Sequence, residues 1–313
     1  MRTNRLNLRN VIAIAICLAV ASVTFTACNK DEVKKDVLNI TAMKRNSSEI
    51  VTVQLASMEK KTFPIDCYVF STSTFDTRNN SYGYADCDNV YRFIDVETGG
   101  EIKQIPLPTM LNLMVLDKTR NLLIGHYFVN DEGKDYGVGK DYVVTIDLKS
   151  GNVVSDNQFY VNGLWVSTVH FFRDRENEYV LLHPDNGLVF INPSTGNVIR
   201  TLSIETMCIN NMVYDRKNNR AIGTTCLDEM GENYIIAIDL KTGKTLSKVL
   251  GEGMGSGFWF LADEMDYDAK TNSYILLSAD NEVLFFDVET GKVKERYQLD
   301  FDITSLKVWR SAK

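Results

Sequence analysis

The chain has little proline, little histidine and no excess of positive charge. Of 313 residues, 5 are Pro and 3 are His, and 34 Lys+Arg face 41 Asp+Glu, a net charge of −7. That balance argues against a general nucleic-acid binder, which needs a basic surface to neutralise phosphates. Metal and cofactor are both expected to be none, because no Cys-x-x-Cys or nearby His completes a zinc set. No Gly-x-Ser-x-Gly elbow is present and spacing suggests no Ser/His/Asp set, so no catalytic residue is nominated. Beyond residue 27 no stretch is apolar enough to span a bilayer.

What is present is a globular composition, 44 % hydrophobic and 24 % charged, with 15 Phe, 14 Tyr and 19 Gly. The aromatic content and the shortage of Pro favour β structure. The length is ample for a buried core.

The first 27 residues read as a signal. Arg2, Arg5 and Arg9 precede the apolar run Val11 to Val20, and then Phe25-Thr-Ala-Cys28 follows. That order describes a secretory signal peptide over residues 1–27. Small residues directly before Cys28 resemble the lipobox of bacterial lipoproteins, with Phe25 in place of the more usual Leu. The resemblance implies acylation of Cys28 and partnership with outer-membrane lipid; an ordinary signal with an incidental Cys is the alternative. Asn29-Lys-Asp-Glu32 resembles the surface-export signal of Bacteroidetes lipoproteins, which implies an outer-membrane protein displayed on the cell surface, or otherwise one facing the periplasm. Removing the signal leaves a charge of −10, since it holds three Arg and no acid. Residues 28–36 are polar and charged, as a tether should be.

From residue 37 to 313 the chain repeats, and a single domain is expected there. Phe93-Ile-Asp-Val-Glu-Thr-Gly99 recurs as Thr145 to Gly151, Phe190 to Gly196, Ala237 to Gly243 and Phe285 to Gly291, with glycines 52, 45, 47 and 48 residues apart. A period near 50 signals a propeller or solenoid. Each copy is a hairpin: an apolar strand ends in Asp or Asn, which closes an Asx turn, and Gly supplies positive φ. Weaker copies of a second turn lie between, beginning at Asp76, Asp117, Asp174, Asp215 and Asp268. Two turns per period give four strands, and four-stranded units stack radially into an all-β propeller of antiparallel blades. The 278 residues from 36 to 313, divided by a spacing of about 48, give six blades, with seven as the alternative. Ile303 to Trp309 matches an innermost strand, whereas Leu38 to Met43 and Ile50 to Leu55 match outer strands. One blade should therefore mix the two termini, with three obvious strands.

The Ile-Asp-x-x-Thr-Gly-Lys repeats over residues 60–300 resemble the YVTN or quinoprotein-like propellers of secreted bacterial proteins. Quinone-dependent members carry Trp four residues after the turn Gly, where this chain has Lys103, Ser155, Arg200, Ser247 and Glu295. Those members also often use adjacent cysteines, which are lacking here. The resemblance therefore implies the fold and not the quinone chemistry.

Cys67 and Cys87 flank the Asp76 turn, and Cys208 and Cys226 flank the Asp215 turn, so each pair is expected to face across its own hairpin. Two disulfides, one, or buried thiols all remain open at this point.

Propellers bind at the channel mouth, in the loops between units and between the two middle strands. Trp165 and Trp259 lie in corresponding inter-unit loops, and Tyr136 lies in the long loop from Tyr127 to Asp141. Aromatic loop residues suit recognition, including stacking on sugars; channel plugs or inter-blade packing are the alternative. His126 and His183 fall on the corresponding second strand of neighbouring units and complete the candidate binding set, though packing explains most such histidines. Asp263 to Asp268 is the densest acidic cluster, but it lacks the Gly and terminal Glu of a calcium loop. The reading is a non-enzymatic envelope lipoprotein whose head binds a glycan, a peptide or an envelope protein. A propeller hydrolase or lyase with an acid pair or metal at the mouth is the alternative, and a structural subunit is a third reading.

Overall fold

The computed structural model describes residues 36–45, 47–67, 73–130, 139–159, 170–173, 175–183, 187–205, 209–226, 232–254 and 265–312. Contacts divide the chain into two units, residues 38–309 and the chain ends. Of the ends, residues 36, 37 and 310–312 are described, with Arg310 Nη1 3.5 Å from Asp36 Oδ2.

Residues 38–309 form six four-stranded antiparallel sheets, the blades of a propeller. Blade 2 holds β4 (Thr74–Asp76), β5 (Ser81–Ala85), β6 (Val90–Asp95) and β7 (Glu101–Pro106). Blade 3 holds β8 (Leu113–Asp117), β9 (Leu122–Asn130), β10 (Gly139–Asp147) and β11 (Val153–Phe159). Blade 4 runs through β12 (His170–Arg173), β13 (Glu178–His183), β14 (Gly187–Ile191) and β15 (Val198–Ser203). Blade 5 is β16 (Ile209–Asp215), β17 (Arg220–Cys226), β18 (Asn233–Asp239) and β19 (Thr245–Leu250). In blade 6 the strands are β20 (Met265–Asp268), β21 (Ser273–Leu277), β22 (Glu282–Asp287) and β23 (Val293–Gln298).

Blade 1 closes the ring with strands from both ends of the chain. Its order is β24 (Ile303–Ala312), β1 (Asp36–Lys44), β2 (Glu49–Gln54) and β3 (Glu59–Pro64). The count of six therefore holds. Leu38 to Met43 and Ile50 to Leu55 take the two middle positions, not outer ones. The missing fourth strand is Glu59–Pro64, whose sequence EKKTFP is almost wholly exposed. An outermost strand buries little, so it needs no apolar alternation and leaves no pattern to read.

The repeated turns have the geometry their residues predict. Asp95 Oδ1 accepts from the N–H groups of Glu97 and Thr98, both at 2.8 Å, and Gly99 has φ 72°. Asp147, Asp239 and Asp287 each accept in the same way from two N–H groups of their own turns. At the other turn Asn80, Asn121, Asn177, Asn219 and Asn272 are left-handed, with φ of 48 to 60°. Asn tolerates this region better than other non-glycine residues.

The core is partitioned: six apolar clusters of described residues each join strands of two adjacent blades. Between blades 1 and 2, Trp309 stacks on Phe75 at 5.3 Å and donates Nε1–H to Thr41 Oγ1 at 2.9 Å.

Candidate functional site

Each blade alternates strand direction, so its chain connections segregate to two ends of the ring. The first-to-second and third-to-fourth strand turns share one end, the turn end. The second-to-third connections and the links between blades share the other, the loop end.

The two ends differ in length of chain. From blade 2 to blade 6 the turn-end connections have four to six residues; at the loop end 131–138, 160–169 and 251–264 have eight, ten and fourteen, and the other six have three to six. Tyr136, Trp165 and Trp259 belong to these long connections and lie outside the described residues, as do Cys28 and Cys208. His183 closes β13, opposite Gly187, but its side chain and that of Cys226 also lie outside the described set.

His126 is described, and it is fully buried. It stands on β9 against the cluster between blades 3 and 4, with Phe159 5.8 Å from its ring. Its Nε2 is 2.8 Å from Asp141 Oδ1, and Nδ1 has no partner among the described residues. The imidazole is thus part of the wall between two blades, held by one carboxylate.

Cys67 and Cys87 form a disulfide with Cα atoms 5.9 Å apart. They do not sit opposite each other on the strands of the Asp76 hairpin, because β4 begins only at Thr74 and β5 ends at Ala85. Instead the bridge ties the link between blades 1 and 2 to the β5–β6 turn, both at the loop end.

Down the ring axis lies a cavity of about 280 Å³, formed by the six innermost strands close to the turn end. Phe75, Leu116, Phe171, Tyr214 and Tyr267 are among its walls, and Phe171 stacks on Tyr214 at 5.7 Å. Its charged groups are Lys118, Lys307 and Asp266. Asp266 Oδ2 accepts from Val308 N–H at 2.6 Å, which joins blade 6 to blade 1. Burial raises its carboxyl above the ordinary value, against the pull of Lys307 and of two backbone N–H groups. Asp268, by contrast, is the turn residue: it accepts from Lys270 N–H and Thr271 Oγ1. No group of three or more His, Cys, Asp or Glu converges to hold a metal among the described residues. Sequence pattern singled out Asp266 only as one member of an acidic cluster. Lys118 and Lys307 carry no periodic signal, since a channel-facing position tolerates either polarity.

A chain of arginine-to-asparagine hydrogen bonds at the turn end has no periodic signature in the sequence. Arg78, Arg120, Arg173 and Arg220 each reach the left-handed Asn of the next blade, namely Asn121, Asn177, Asn219 and Asn272. The Asn was visible as the last polar residue of each turn; its arginine partner was not, because the arginines occupy four different places in and beside their turns.

No family model matches the chain, and no curated protein does. Among solved structures, a protein of unknown function from Bacteroides caccae is similar at a TM-score of 0.60 and 10 % identity, covering 88 % of this chain and 100 % of its own. A chain of a nidogen/laminin complex is similar at a TM-score of 0.61 and 10 % identity, over 87 % of this chain and 98 % of its own. At such identity the likeness speaks for the fold alone.

Proposed function

We propose that the propeller is the binding head of an envelope lipoprotein, anchored through acylated Cys28 and displayed on the cell surface. The observation that carries the binding role is the asymmetry of the ring. One end is closed throughout by turns of four to six residues fastened by side chains, and the other carries, among connections as short, three of eight, ten and fourteen residues. Long connections on a rigid scaffold are where proteins place recognition residues. Trp165 and Trp259 lie in two of these connections, and Tyr136 in the third. A propeller of the same fold in a nidogen/laminin complex is a precedent for such a scaffold within a protein–protein complex. The aromatic residues favour a glycan or a peptide with exposed apolar faces.

The test is a glycan array probed with wild type and with the double variant Trp165→Ala plus Trp259→Ala. Binding by wild type that the variant loses supports the reading; no binding in either removes the sugar. The anchor is tested separately. A Cys28→Ala variant should leave the membrane fraction, and its failure to do so would remove the lipidation reading without touching the binding one.

A further inference from the structure

The repeat supplies its own control for a second cleft, away from the loop end. Between blades 4 and 5, the side chain paired with Phe190 is Arg200. Its guanidinium lies 3.5 Å over the Phe190 ring and donates to Leu240 O at 3.0 Å. The Arg200 side chain thus spans the groove from one blade to the other. Between blades 2 and 3 the equivalent three residues are Phe93, Lys103 and Leu148, since Phe93 pairs with Lys103 and Leu148 follows the turn Asp147 as Leu240 follows Asp239. An ammonium has neither the plane to cover the ring nor the fork to bridge two blades. There the groove is an open cleft of about 280 Å³, lined by Phe93, Ile102 and Leu148 together with Lys103, Lys149 and Asn79.

The carboxylates around the cleft already have partners. Asp76, on its inner side, is bound by Arg78 at 2.7 Å. Asp147, on which the Lys103 charge acts, already accepts from the N–H groups of Lys149 and Ser150. Ser81 and Asn121 add further polar groups to the wall. Ile102 is 49 % exposed, an apolar lip beside two cations.

We infer that this inter-blade cleft is a site for a small polyhydroxy carboxylate, of the size and chemistry of a uronic acid. Its carboxylate lies between Lys103 and Lys149, its hydroxyls meet the amide and hydroxyl groups of Asn79, Asn121 and Ser81, and its C–H face lies on Ile102 and Leu148. A cavity of this volume holds one sugar ring and not a drug-sized molecule. The site is independent of the loop-end reading, and either can fail alone.

The test titrates the detergent-solubilised full chain with D-glucuronate, with D-glucose, and with a disaccharide ending in glucuronate, followed by calorimetry. Saturable binding of glucuronate, with glucose weaker by about tenfold or more, is expected from the loss of two charge-assisted contacts. Lys103→Ala and Lys149→Ala should each weaken it by about tenfold. Lys103→Arg keeps the charge but rebuilds the Arg200 arrangement, fills the cleft and should abolish binding. Unaltered thermal melting of the three variants shows that the fold is kept. Binding of the disaccharide alone would place the uronate at a glycan end, and binding of both would make the free acid sufficient; either supports the site. No binding of either acid, equal binding of glucose, or glucuronate binding unchanged in Lys103→Arg would overturn it.

Discussion

Arg220 Nη2 donates a hydrogen bond of 2.6 Å to Asn272 Oδ1, and so fastens blade 5 to blade 6 at the turn end of the ring. The same link joins blade 2 to 3, 3 to 4 and 4 to 5. Each acceptor is the turn residue in the left-handed region, so one Asn both shapes its own hairpin and receives the neighbouring blade. The series needs a first-to-second strand turn in the receiving blade. Blade 1 has none, because β24 and β1 come from opposite ends of the chain. Blade 1 is joined to its two neighbours by other means: Val308 N–H donates to Asp266 Oδ2 of blade 6 at 2.6 Å, and on the blade 2 side Tyr82 Oη and Ser73 Oγ both donate to Ser305 O, at 2.8 and 3.0 Å.

The links should differ in strength with burial. Arg220 is 6 % exposed and also meets Asp215 Oδ2 at 2.9 Å and Glu289 Oε1 at 2.8 Å. Arg220→Ala leaves the fully buried Asp215 carboxylate short of its cation, at a cost of about 3 kcal/mol. Arg78 also pairs with a buried carboxylate, Asp76, but its own side chain is 42 % exposed, so water can take its place and Arg78→Ala should cost less, about 1–2 kcal/mol. Urea unfolding of both variants checks the order; an Arg78→Ala loss equal to that of Arg220→Ala would refute it.

Blade 4 carries the same ion pair with its charges exchanged. Arg173 pairs with Glu178 across the turn where blade 5 pairs Asp215 with Arg220. The sequence pattern placed the turn acid of blade 4 at Asp174; the strand register puts Arg173 at the equivalent position. Glu178→Arg alone brings two cations together in a buried site and should be strongly destabilising. Adding Arg173→Asp recreates the blade 5 arrangement and should recover about 2 kcal/mol, read as the coupling energy of a double-mutant cycle. Additive losses would show that the exchange is not a self-contained unit.

Most of the fold was legible because it repeats. Five near-copies of Ile-Asp-x-x-Thr-Gly fixed the hairpins, and their spacing fixed the blade count. Glu59–Pro64 escaped because an exposed edge strand has no alternation to display. The site was less legible. The channel and the Lys103 cleft depend on which side chains face each other between blades, and no period in the chain records that. Only the comparison of Lys103 with Arg200, at the same place in two repeats, brings the cleft out, and the sequence named both positions without showing what they fill.

Two turn glycines separate backbone strain from steric clash. Gly151 and Gly243 share a left-handed φ, 77° and 75°. A Cβ on Gly151 meets nothing nearer than Ile105 Cγ2 at 3.9 Å, whereas one on Gly243 falls 2.2 Å from Ser203 O. Gly151→Ala should therefore cost only the conformational penalty of roughly 1–2 kcal/mol. Gly243→Ala must also displace the backbone of blade 4 and should cost clearly more. Thermal unfolding of the two variants decides it, and equal losses would show that the neighbouring strand yields freely.

Acid stability should show two opposite contributions. Burial pushes the Asp215 carboxyl up, but hydrogen bonds from Asn218, Arg220 and Tyr267 outweigh it and hold the group below its ordinary 3.8. In Asp147 the N–H groups of Ser150 and Lys149 act in the same direction. Groups depressed in this way give stability that is complete above 3.8 and is lost as pH falls through their folded values. Asp266 is the reverse case: burial raises it, so the folded chain holds its proton to higher pH than the unfolded one. Its contribution declines as pH rises from 3.8 through the folded value. Asp215→Asn should thus be less stable than wild type at pH 7, with the difference closing below 3.8. Asp266→Asn keeps an acceptor for Val308 N–H and removes the buried charge, so it should gain on wild type at pH 7 and match it at low pH. Urea midpoints measured from pH 2 to 8 test both, and an Asp266→Asn difference that does not change with pH would show that this carboxyl keeps its unfolded-state value.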